Sequence, residues 1–405
     1  MCRADWEPIS NPSGNPIRDP LDCRQHRVTG GKDRVDFELN EDQVLLKGLV
    51  ENFVEDRYDL ARRAGYQREA QGFSTENWRL MAELGLLALP FAAGHGGLDG
   101  GVVEIITVME ALGAGLVAEP VLPALLIAGR LIEAAGTDAQ KAAWLPRIIA
   151  GEARIALAHF EHAARYNLSA VATTAKVAES GGTVIDGAKT MVMAGVGADG
   201  LLVSARLSGG YGDPAGIGLF VVPADARGVD ARAYRLTDGS VASEVHFRGV
   251  TDAQPLAGGF AAFAAVIDEA RIAACAEMLG IMTRLFDATL EHVRTRKQFG
   301  AALGSFQVIQ HRMADNFVRL EQSRSQLYRA ALAAAGAGRA RAIAGAKSLI
   351  AANAIALGED CIQLHGGMGT TDELAIGHGH KRLLLLASLF GDADAELERY
   401  LDMAA

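Results

Sequence analysis

The chain has 405 residues, 50% of them hydrophobic and 22% charged, which fits a large buried core and two or three domains. Its formal net charge of -10 argues against nucleic acid or an anionic membrane as the main partner. A local basic cluster can still hold a phosphate-bearing ligand. No run reaches the roughly 18 apolar residues of a membrane span.

Residues 1–34 are rich in Pro, Gly, Asn, Arg and Asp and have no apolar stretch of the kind a secretory signal needs. They read as a disordered extension. The segment from Val35 reads as a domain start, as an alternative initiation codon there would give. The pattern is helical from Glu41 to about Arg147. Val44, Leu45, Leu49 and Phe53 recur at helical spacing, and Trp78, Met81, Leu84 and Leu87 continue it. Pro90 and the glycines at 94, 96 and 97 interrupt, and helices resume over 102–116 and 122–135.

Near Gly151 the period changes. Short strands are expected over 172–177, 183–185, 189–193, 201–205, 218–222 and 241–247, with a turn at Asp186 and Gly187. No helix-length segment separates them, so a small all-β module is expected rather than βαβ units. Helical periodicity returns at Phe260 and lasts to the end: one long helix through Met282, then 306–334, 340–364 and 383–403. Gly336 and Gly338 should interrupt the Ala-rich stretch. The fold class is therefore α+β, mainly α. It has an N-terminal helical domain over 35–150, a β-barrel or sandwich over 151–255 and an antiparallel helical bundle over 256–405.

Two motifs carry chemistry. The first places Arg294, Arg296, Gln298, Phe299 and Gly300 at the end of the long helix, followed by Phe306, Gln307 and His311. Arg and Gln there either cap a helix or present donors to a pyrophosphate. The second runs Gln363, His365, Gly366, Gly367, Gly369 and Thr370, where glycines let the backbone approach a ligand. It has no P-loop lysine and opens no βαβ unit. Cys2, Cys23, Cys275 and Cys361 form no CxxC pair, and the last two read as buried apolar residues of a reduced, cytoplasmic protein. His378 and His380 lack a third ligand nearby, so no metal site is expected.

Together the two motifs resemble the acyl-CoA dehydrogenase family. Also carrying the resemblance are the run from Leu84 to Pro90 before Gly96 and Gly97, the Asp186–Lys189 turn, and the ending with Leu389, Phe390, Gly391, Asp392 and Asp394. That ending is most like the small subunit of pimeloyl-CoA dehydrogenases and related two-subunit enzymes. The resemblance implies FAD, an acyl-CoA substrate (a dicarboxylyl-CoA in the pimeloyl case), α,β-dehydrogenation, and an electron acceptor such as an electron-transfer flavoprotein. It also implies an α2β2 assembly with a sister chain, or a homotetramer. Arg296, Gln298, Phe299, Gln363, Gly366 and Gly367 are the implied FAD-binding residues, reaching a neighbouring subunit's cofactor. Arg271 is the implied substrate-site arginine.

Such a reaction needs a carboxylate near the substrate α-carbon and donors on the thioester oxygen. The family's usual base position falls here on Phe390, and its second location falls on Ala270. Neither side chain accepts a proton. Asp392, two residues on, is the candidate displaced base, with Glu269 and Asp394 as the other carboxylates nearby. The segments that flank the flavin ring in the family align with Phe160, Glu161, His162 and Arg165, and with Met191, Val192 and Met193. The neighbour-facing motifs are preserved and the chain's own flavin segments are not. A dehydrogenase subunit is expected. Its alternatives are a non-catalytic partner that completes a sister chain's FAD site, a self-sufficient homotetramer with a displaced base, and a flavin-free acyl-CoA binding protein.

Overall fold

The computed structural model describes residues 39–177, 182–333 and 337–403; the expectations for 1–34 and for Gly336 lie outside them. The first helices are α1 (Glu41–Arg57), α2 (Leu60–Arg68) and α3 (Thr75–Glu83). Ser74 Oγ caps α3 by accepting from Asn77 N at 3.2 Å. The loop after α3 leads to α4 (Val102–Ala114). The apolar run that follows is a π-helix, Val121–Gly129, buried at every position, and it passes into α5 (Arg130–Ala135). Pro123, inside the run, has no N–H to give an α-helical bond. A Thr137–Gln140 capping box starts α6 (Asp138–Ile149).

The sheet comprises β1 (Ile155–Ala158), β2 (Thr174–Val177), β3 (Thr183–Met193), β4 (Gly200–Arg206), β5 (Ile217–Pro223), β6 (Val229–Arg235), β7 (Val241–Val250) and β8 (Gln254–Pro255). Its order is β6-β7-β3-β2-β4-β5-β8, with β1 parallel beside β4. The expected turn at Asp186 and Gly187 is instead a bulge inside one continuous strand: the β3–β7 register shifts between Ile185 and Gly187. A Cβ on Gly187 would lie 2.6 Å from Thr173 Oγ1, so the close approach of that neighbour favours glycine. A second shift, between Lys189 and Val192, leaves Met191 at φ 52°.

The remaining helices are α7 (Phe260–Thr295), α8 (Gln307–Ala331), α9 (Ala337–His365), α10 (Ala375–Ser388) and α11 (Ala393–Asp402). A small hairpin of β9 (Lys297–Gln298) and β10 (Ala301–Ala302) joins α7 to α8. α7 crosses α4 at small residues: a Cβ on Gly280 would lie 1.9 Å from Glu110 O, and one on Gly113 2.3 Å from Glu277 O. The segment Gly338–Thr370 is long and apolar enough by composition to cross a membrane, yet half of its most apolar 18-residue window is buried inside the protein, where α9 packs on α7, α8, α10 and α11. Cys275 and Cys361 are free and buried, and burial pushes their thiols up to about 12 and about 11.

Candidate functional site

The turn between α10 and α11 sets the centre of the chain. Phe390 takes φ 59° there and is buried, although a bulky residue disfavours that conformation. It is held from behind. Arg271 on α7 donates from Nη2 to Phe390 O at 2.6 Å, from Nε to Glu396 at 2.7 Å and from Nη1 to Asp268 at 2.9 Å. Arg399 completes the network, at 2.6 Å from Asp268 and 3.2 Å from Glu396. Two guanidinium groups thus face two carboxylates. Burial lowers the Arg271 pKa, and Glu396 opposes that shift. Lys347, fully buried, donates to Leu386 O at 2.7 Å and Ala387 O at 2.8 Å, capping the end of α10; burial brings its ammonium down to about 8.

The ring of Phe390 stacks on Phe160, centroids 5.0 Å apart and planes 30° apart. With Pro123, Ile127, Leu157, Met191 and Met193 they enclose a residual cavity of about 10 Å³. That is at most the space of one water. Among the described residues, no carboxylate lines it. Met191 N donates to Tyr234 Oη at 3.0 Å. Glu161, next to Phe160, accepts from Lys189 Nζ at 2.7 Å, Thr173 N at 3.0 Å and Ala172 N at 2.7 Å, so it ties its own loop together. Lys189 also reaches His159 O and Ser204 Oγ, both at 3.1 Å. Burial brings Lys189 down to about 8 against the pull of Glu161. Between Phe160, Met191, Met193 and Phe390 the packed side chains leave only that cavity of about 10 Å³.

The sequence candidates for a base lie elsewhere. Asp392 is the N-cap of α11, its Oδ1 accepting from Ala395 N at 2.9 Å. Glu269 pairs with Arg130 at 3.2 Å and faces a separate cleft of about 540 Å³ beside Phe91 and Ile105. Neither lines the Phe390 cavity. Arg271 is buried and spends three of its five N–H donors on Glu396, Asp268 and Phe390 O, so in this structure it holds the Phe390 turn. Arg165 is exposed, at φ 47°.

One carboxylate escaped the sequence reading. Glu119 lines a cavity of about 30 Å³ that shares Pro123 and Met193 with the Phe390 cavity. It is 5% exposed, accepts from Tyr58 Oη and, at 3.3 Å, from Ser74 N, and burial pushes its carboxyl up to about 6. The signal available in the sequence was an acidic residue directly before Pro120 in an otherwise apolar run.

The opposite end of the bundle is open. Arg296 is the C-cap of α7, and the hairpin tip carries Phe299 at φ 53° and 93% exposed. α9 ends at His365, and Gly366 turns the chain at φ 61°. The rings of His292 and His365 stack, centroids 4.2 Å apart. This brings Arg296, Gln298 and Phe299 to the same end as Gln363, Gly366 and Gly367, all exposed. Among the described residues, no hydrogen bond takes up the side chains of Arg296, Gln298 or Gln363. A Cβ on Gly366 or Gly367 would meet nothing within 4 Å. Unengaged donors, an exposed ring and open glycine backbone fit the phosphate and adenosine portion of FAD offered from outside the chain.

The helical domain, sheet domain and helical bundle match the acyl-CoA dehydrogenase fold. The family description "Acyl-CoA dehydrogenase, N-terminal domain" matches residues 40–152, and "Acyl-CoA dehydrogenase, C-terminal domain" matches residues 257–402. The chain belongs to the acyl-CoA dehydrogenase family, a family of oxidoreductases. It is 29% identical over 353 residues to the short-chain specific acyl-CoA dehydrogenase of Clostridium acetobutylicum, covering 84% of this chain and 92% of the relative. It is 29% identical over 379 residues to the mitochondrial isovaleryl-CoA dehydrogenase of Arabidopsis thaliana, covering 89% and 90%. Among solved structures, a Tcur3481-Tcur3483 steroid ACAD variant superimposes with a TM-score of 0.81 at 29% identity, covering 90% of this chain and 98% of the other.

Proposed function

We propose that this chain is the non-catalytic partner subunit of a FAD-linked acyl-CoA dehydrogenase. It completes the FAD site of a sister chain with Arg296, Gln298, Phe299, Gln363, Gly366 and Gly367, in an α2β2 assembly. The observation that carries this reading is the Phe390–Phe160 stack, which occupies the base position of the chain's own chamber with apolar side chains and leaves about 10 Å³. The sister chain then supplies the carboxylate base and the acyl-CoA chamber. The two-part name of the steroid ACAD relative supports an assembly of two different chains. The resemblance to pimeloyl-CoA dehydrogenases favours a dicarboxylyl-CoA substrate, an electron-transfer flavoprotein as acceptor and a cytoplasmic setting.

The visible absorption spectrum tests the proposal. The chain purified alone is expected to show no flavin bands. Co-expressed with its sister chain it is expected in a flavin-bearing complex that dehydrogenates acyl-CoA. Stoichiometric FAD on the isolated chain defeats the reading. A second reading, a self-sufficient dehydrogenase, is favoured by Glu119 alone, whose raised carboxyl borders the same apolar region. It requires Phe390 to leave its seat and predicts that same FAD on the isolated chain.

A further inference from the structure

We propose that His292 and His365 are a positioning pair. Their stacked rings hold the Arg296 hairpin and the Gly366 turn together as one binding edge, and protonation of the pair loosens that edge. The inference rests on the proposed function only for the identity of what the edge binds.

His292 lies one turn before the hairpin, and its carbonyl accepts from Arg296 N at 2.8 Å. A displacement of the His292 turn therefore moves the root of the hairpin directly. His365 is the last residue of α9, immediately before Gly366. Its Nδ1 lies 2.8 Å from Cys361 O, which assigns that nitrogen the proton it donates. The two planes are 24° apart at 4.2 Å.

Behind the two motifs α7 and α9 pack on each other, with Cys361 Sγ donating to Leu285 O at 3.6 Å, and each motif closes within itself. The hairpin closes through Leu303 N donating to Arg296 O at 2.8 Å, and Phe299 meets Phe306 edge-on. The turn closes through Thr370 Oγ1 donating to Gly367 O at 2.9 Å. Among the described residues, no hydrogen bond links hairpin to turn, and the imidazole stack is the ring contact between their two helices.

Two imidazolium rings at this separation repel each other. The groups that bear on His292 are His365 from α9 and Arg296 from the hairpin root. Burial, His365 and Arg296, in that order, all push its pKa below the ordinary 6.5. No carboxylate is among these influences. Neutral His292 therefore favours the assembled state. Because the folded chain binds the His292 proton less readily than the unfolded chain, the stack is complete above the ordinary histidine pKa and weakens as pH falls below it.

The test uses the full chain alone. NMR of the histidine C–H groups gives the His292 titration, and hydrogen exchange at the hairpin amides, corrected for intrinsic rates, gives the state of the edge. The expected result is His292 titrating below the unfolded reference, with hairpin protection falling at least tenfold between about pH 7.5 and about pH 5.5. His365→Phe keeps a ring to stack and removes its charge. It should raise the His292 pKa and flatten the pH dependence of protection. If that variant does not fold, His292→Tyr takes its place, with flattened hairpin protection as its readout. His292 titrating at its reference value, or protection that follows pH equally in the variant, overturns the pair. If the chain behaves as expected but the sister complex holds FAD equally at both pH values, the proposed FAD role fails and the pair stands.

Discussion

Arg271 donates to the carbonyl of Phe390 at 2.6 Å, so a buried arginine fixes the backbone of the residue that fills the base position. The same guanidinium pairs with Glu396 and Asp268. The apolar plug is thus anchored by a charged network behind it, and Phe390 cannot shift without disturbing α7 and α11 together.

Removing the plug should cost stability and give no activity. Phe390→Ala leaves a cavity against Phe160 and is expected to lose about 3–5 kcal/mol. Urea unfolding measures the loss. No acyl-CoA dehydrogenation should appear in the isolated variant, because the residues lining the Phe390 cavity include no carboxylate and Glu119 lines the adjoining one. Turnover there would revive the self-sufficient reading.

Arg271→Met leaves the buried Glu396 and the half-buried Asp268 with Arg399 as their remaining guanidinium partner. The expected cost is about 3–5 kcal/mol, since an uncompensated buried charge dominates. Adding Glu396→Gln should recover part of it. A double-mutant cycle reads the coupling, and additive losses would show that the network is not one unit.

Arg296→Ala and Gln298→Ala change exposed side chains that make no side-chain hydrogen bond or ion pair among the described residues. Folding stability should stay within about 0.5 kcal/mol of wild type. FAD retention in the sister complex should fall, read from the ratio of flavin to protein absorbance after gel filtration. Unchanged retention in the double variant contradicts the proposed role of this edge.

Glu119 gives a pH dependence with a definite sign. Burial raises its folded carboxyl to about 6 from 4.5, so the folded chain holds this proton more tightly than the unfolded chain. Its contribution is most favourable below the unfolded pKa and declines as pH rises through the folded one. The total decline is about 2 kcal/mol between about pH 4.5 and about pH 6, and it is level beyond. Urea midpoints across that range should slope downward in wild type, less so in Glu119→Gln. An identical slope in the variant assigns it to other groups.

Much of this architecture was legible because its signals are local. The 3.6-residue period marks α7, α8 and α9, and the shift to alternation near Gly151 marks the sheet. Other elements carried no such signal. β1 is buried at all four positions, so it shows no alternation. β6, a charged edge strand with an almost wholly exposed face, shows no hydrophobic period either. The Asp–Gly pair in β3 has the composition of a turn but serves as a bulge, because Thr173 and β7 hold it in the sheet.

By itself the sequence determined the order helix, strand, helix, the presence of the Arg296 and Gln363 motifs, and the lack of a carboxylate at Phe390 and Ala270. Those follow from residue identity and short-range periodicity. Tertiary structure alone decided that Phe390 packs on Phe160, that Asp392 is a helix cap, and that the partner of Arg271 is Glu396, 125 residues away. It also decided that Glu119, flanked by apolar residues in the chain, lines a cavity that shares Pro123 and Met193 with that of Phe390. The physical reason is range. Helix period and capping act over a few residues, whereas desolvation and ion pairing depend on which distant segments the folded core brings together.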